Sequence, residues 1–122
     1  MTLAEQELVR ILGYDATLKL EKIFRSQFIY IGRESHSIKV IRARISHAAA
    51  DALVAYMQGD TLWVPSTIYR QERNEKIFQE TQETKPLSIE QMAAKYKLKA
   101  RAIRMILQRK TERLNEQKKL RA

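Results

Sequence analysis

Apolar residues recur at helical spacing along most of the chain, and three glycines punctuate the pattern. Leu8, Val9, Ile11 and Leu12 run up to Gly13 behind a Thr2/Glu5 pair with capping-box spacing, which predicts a first helix. Leu20, Ile23, Phe24, Gln27 and Phe28 fall on one side of a second predicted helix, residues 17–30, closed by Gly32. A third begins at Ser35 or Ser37 and carries Ile38, Ile41, Ile45, Ala49, Ala52, Leu53 and Tyr56 to Gly59. The pattern then changes. Thr61-Leu62-Trp63-Val64 is β-branched and aromatic, lies between Gly59-Asp60 and Pro65, and reads as one short strand or as an extended linker. A strand this short is unstable alone, and the pattern offers no second one. Its expected partner is therefore its own copy in another molecule, an argument for a homodimer.

Helical spacing resumes over residues 67–83, where Ser66 can cap and Ile68, Ile77 and Phe78 form a modest apolar side. A polar loop over residues 81–86 leads to a second capping box, Ser88 with Gln91. From there the spacing is that of a helix-turn-helix. Met92, Tyr96 and Leu98 are apolar before and within the turn Lys97-Leu98-Lys99, Ile103 and Ile106 are apolar after it, and small Ala93 stands where the helices cross. The second helix runs from residue 100 to about 110 and continues as a basic tail. Its outward positions are Lys99, Arg101, Arg104, Met105 and Gln108. The expected architecture is mainly α. It has a helical dimerisation domain at 1–60, a strand or linker at 61–66 and a helix-turn-helix domain at 67–122. Leu62, Trp63 and Val64, with Ile38, Ile41 and Ile45, are candidates for the dimer interface.

Charge sharpens the picture. Residues 1–60 hold 8 Lys/Arg against 7 Asp/Glu, residues 61–94 hold 4 against 5, and residues 95–122 hold 11 against 2. The whole formal excess of +9 thus sits on the last segment, where it coincides with the bihelical pattern and points to nucleic acid. That segment has no bulky aromatic face for a membrane surface, and no apolar run approaches a membrane span. With no cysteine, thiolate zinc sites and disulfides are excluded, and a cytoplasmic setting is expected. His36 and His47 have no acidic cluster at ligand spacing, so no metal and no cofactor are expected. The acids of the C-terminal half are scattered rather than clustered, which argues against a metal-dependent nuclease and against an enzyme generally.

The order of three helices, Gly59-Asp60-Thr61-Leu62-Trp63-Val64-Pro65, a connecting helix and a helix-turn-helix resembles the Mor transcription activator family of Mu-like bacteriophages. Arg73, Ile77, Leu87, Ala93, Tyr96, Leu98 and Ile103 carry the resemblance further along the chain. It implies an intertwined homodimer with a strand paired between subunits, a dyad upstream of a phage or prophage promoter, and contact with bacterial RNA polymerase. The chain departs from the family at Ser66, where a basic residue is usual, and at residues 81–85, which lack the usual glycine and asparagine. Arg101 and Arg104 are the leading candidates for base contact, with Lys99, Met105 and Gln108 beside them. Lys95, Lys97, Arg109 and Lys110 suit phosphates of double-stranded DNA. The same parts would also serve a repressor, or a DNA-packaging or recombination adaptor.

Overall fold

The computed structural model describes residues 1–83 and 86–121. Thr84 and Lys85 of the expected polar loop, and Ala122 at the end of the expected C-terminal domain, lie outside the described residues. The elements in order are α1 (Leu3–Leu12), α2 (Tyr14–Phe24), β1 (Gln27–Tyr30), α3 (His36–Arg44), α4 (His47–Met57), β2 (Thr61–Val64), α5 (Thr67–Thr81), α6 (Ile89–Tyr96) and α7 (Ala100–Arg121). The fold is mainly α, with a small antiparallel sheet. Two compact units divide the chain within α5, Met1–Gln71 and a second from Glu72 onward.

In the first unit the expected Thr2/Glu5 capping box is formed, and α1 ends at Gly13, whose φ of 88° favours a residue without a Cβ. The second helix is shorter than its periodicity predicts. It stops at Phe24; Ser26 takes a positive φ of 58°, and Gln27–Tyr30 forms β1. The run Phe28-Ile29-Tyr30-Ile31 is apolar at every position, so spacing alone does not separate helix from strand. Pairing decides it. Phe28 lies opposite Trp63, and Ile29 opposite Leu62, in an antiparallel register. The segment at 61–64 is therefore a strand with a partner in its own chain, which corrects the expectation that its partner would be its own copy in a second molecule.

The expected third helix is two helices. Ile45 and Ser46 break the line, and the Ser46 hydroxyl accepts from the Ala49 amide at 3.0 Å to cap α4. A serine that satisfies an amide beyond itself competes with helix continuation, and here it wins although the apolar spacing runs on. The core of this unit buries Leu8, Leu20, Ile29, Ile31, Ile38, Ile41, Ala49, Ala50, Leu53 and Val64.

The second unit is smaller. Its core is Ile77 from α5, Met92 from α6 and Ile103 from α7, with Ile89, Ala93, Tyr96, Leu98, Ile106 and Leu107 packed around them. Each such side chain fully removed from water contributes roughly 1.5–3 kcal/mol, and the three pack α5, α6 and α7 against one another. The expected Ser88/Gln91 box is present at the start of α6.

Candidate nucleic-acid interface

α6 ends where Lys97 takes the left-handed conformation, φ 56° and ψ 43°. The Leu98 amide then donates to the Ala93 carbonyl at 2.9 Å, a turn that closes over Ala93. Leu98 folds back onto the core of the second unit, and α7 starts two residues later. Burial of Ile103 fixes the rotation of α7. Arg101, Arg104 and Gln108, three and four residues apart, consequently share its exposed side with Met105, which is 40% exposed. Lys97, Lys99, Arg101, Arg104 and Arg109 are exposed and have no ion-pair partner among the described residues.

The remaining two expected phosphate ligands are held by the protein. Lys95 Nζ lies 2.6 Å from Glu80 Oε1, which also accepts from the Tyr96 hydroxyl at 2.7 Å. Lys95 and Tyr96 together hold the Glu80 carboxyl below the usual carboxylate range, while burial and then Glu80 push the Tyr96 phenol up to about 12. Lys110 Nζ lies 2.7 Å from Glu75 Oε2 and sits over the Phe78 ring. Acids of α5 thus tie down α6 and α7. The sequence offered no local sign of these pairs, because Glu75 and Glu80 come from another helix.

This cationic, largely unpaired face has a family context. The chain matches the Mor transcription activator family over residues 18–121, nearly its whole length. It belongs to that family. No curated protein and no solved structure matches it. The match to the Mor family runs through both units and includes all of α6 and α7.

Other expected site residues of this Mor family member lie in its first unit. Ile38, Ile41 and Val64 are fully buried within the single chain, and Leu62 and Ile45 are half-buried against the same core. Trp63 is 46% exposed. It stands beside Phe28, 71% exposed, with ring centroids 4.7 Å apart, and Tyr30 is exposed on the same outer face of the sheet.

Glu5 was expected only as the capping-box partner of Thr2 and Glu21 not at all, yet the two form a buried pair. Glu5 and Glu21 are fully buried and hydrogen bond to each other. Glu5 Oε2 accepts from the Ile68 amide at 2.8 Å and Glu21 Oε1 from the Tyr69 amide at 3.1 Å, so both carboxyls cap the first turn of α5. Glu21 Oε2 is buried without a partner. Burial pushes Glu5 up, but the bonds from Glu21, the Thr2 and Ile68 amides and the Thr2 hydroxyl outweigh it and bring its pKa to about 2. Burial, then the neighbouring Glu5 carboxylate, raises Glu21 to about 7. In the sequence each stands at an ordinary helical position, with nothing to mark it as interior.

Proposed function

We propose that the chain is a sequence-specific, DNA-binding transcription activator that works as a homodimer, its α6–turn–α7 segment serving as a helix-turn-helix with α7 in the major groove. The observation that carries this is the row Arg101, Arg104, Met105 and Gln108 on the exposed side of a helix whose opposite side is anchored by Ile103. Arginine matches guanine O6 and N7 with two donors, glutamine matches adenine N6 and N7, and a methionine side chain can lie against a thymine methyl. Lys97, Lys99 and Arg109, exposed and unpaired among the described residues, suit the flanking phosphates. Lys95 and Lys110 reach phosphate only by leaving Glu80 and Glu75, so they contribute less than their charge implies.

Dimerisation belongs to the first unit. The exposed Phe28–Trp63 pair with Tyr30 offers an aromatic face on a two-stranded sheet, which a second copy can cover. Two reading helices related by a two-fold axis would each take one half of a dyad. Membership of an activator family supports recruitment of bacterial RNA polymerase to an adjacent promoter.

Footprinting upstream of promoters in the DNA that encodes the chain, with polymerase present and absent, tests the reading. The expected result is a two-fold-symmetric protection, extended toward the promoter by polymerase. Arg104→Ala is expected to cost roughly 1–3 kcal/mol and to relax preference at one base pair. Failure to bind duplex oligonucleotides at low ionic strength overturns it.

A further inference from the structure

Glu112 stands one turn beyond Gln108 on the exposed side of α7, an acid in line with Arg104 and Gln108. The two side chains are joined: Gln108 Nε2 donates to Glu112 Oε1 at 3.1 Å. An ionised carboxylate only accepts, so the amide nitrogen, and not the carbonyl oxygen, must face it. One amide hydrogen is thereby committed to Glu112. The other, and the carbonyl oxygen, remain side by side as a donor and an acceptor in a fixed order.

That order has a chemical complement. In the major groove adenine presents N7 as acceptor and N6–H as donor, whereas guanine presents two acceptors, N7 and O6. A glutamine fixed in this way satisfies both adenine groups and sets its carbonyl lone pairs against guanine O6. We propose that Glu112 is a positioning residue for sequence reading, holding the Gln108 amide in the one orientation that selects adenine over guanine at a single base pair. The proposal rests on α7 being the DNA-reading helix. It goes beyond that reading by assigning one base and the residue that enforces it.

The test uses the full chain and a random duplex library to select a preferred site, followed by competition titrations with duplexes changed one base pair at a time. The pair read by Gln108 is the one whose preference is lost in Gln108→Ala. The wild-type chain is expected to favour adenine there over guanine by about tenfold or more. Glu112→Gln keeps the length of the side chain, but a carboxamide can meet Gln108 with either end and no longer dictates its orientation. The adenine preference should then fall roughly fivefold or more at that pair alone. The Gln108→Ala/Glu112→Gln double variant should match Gln108→Ala. An electrostatic role alone would give a different result, in which Glu112→Gln shifts affinity for every duplex equally and leaves the adenine-to-guanine ratio unchanged; that overturns the proposal. Arg104→Ala separates the levels. If it alters discrimination while Glu112→Gln does not, α7 still reads DNA and only the role of Glu112 fails. If selection returns no preferred sequence, both fail.

Discussion

Glu21 shows how far an environment can displace a side chain from its expected behaviour. It is fully buried beside another carboxyl, and its raised pKa means that the folded chain holds the proton more tightly than the unfolded one. The stability this contributes is complete below the ordinary value of 4.5 and is lost as pH rises toward about 7, with no further loss above that. Glu5 has the opposite sign: held near 2, it contributes stability above 4.5 that disappears as pH falls toward 2. The pair therefore favours mildly acidic conditions. Glu21→Gln keeps a carbonyl for the Tyr69 amide but has no proton to release. At pH 8 this variant should exceed the wild-type chain by roughly 1–3 kcal/mol, and its stability between pH 5 and 8 should be flatter. Chemical denaturation across that range checks the assignment, and an unchanged slope for Glu21→Gln would remove it.

At the scale of elements, the turn between α6 and α7 combines a local cost with a proposed contact. Lys97 holds a left-handed conformation that a residue with a Cβ adopts at a penalty, and its side chain is exposed and a candidate for phosphate. Lys97→Gly separates the two. Relief at the backbone should stabilise the second unit by about 0.5–1 kcal/mol, read as a higher denaturation midpoint. Loss of the cation should weaken DNA binding and lower the slope of log K against log salt by about 0.9. A variant that is more stable and binds with an unchanged slope would take Lys97 out of the interface. Caps explain why this region was legible. The Ser88/Gln91 box and the apolar positions Met92, Ile103 and Ile106 act within a few residues of themselves, and α6 and the start of α7 lie where those signals put them. α7 runs beyond the expected residue 110, to Arg121. The β1 segment was not legible, because residues 27–30 become a strand only through residues 61–64.

For the whole molecule, the decisive quantity is its assembly state. A chain of 14.3 kDa with a sheet of two short strands leaves Phe28, Tyr30 and Trp63 exposed on one face, and a second copy is the proposed cover. Trp63→Asp places a charge in the middle of that face and should yield a monomer in sedimentation equilibrium, with helix content by circular dichroism retained. Binding to a dyad should fall by roughly 10²-fold or more as the linked second half-site is lost, while binding to a single half-site should barely change. A Trp63→Asp chain that remains dimeric would move the interface elsewhere.

The sequence by itself determined what short-range physics controls: the caps at Thr2 and Ser88, the end of α1 at Gly13, the bihelical spacing, and the concentration of positive charge after residue 94. Family membership was legible for the same reason, since those signals recur along the chain in a fixed order. Tertiary structure alone decided which apolar run became β1, that Glu5 and Glu21 meet beneath α5, and that Lys95 and Lys110 are tied to acids while, among the described residues, Lys97, Lys99 and Arg109 are not. The bonds from Ile68 to Glu5 and from Tyr69 to Glu21 span 63 and 48 residues. A contact over that distance has no signature in any window of sequence, because its energy exists only once two remote segments have been brought together.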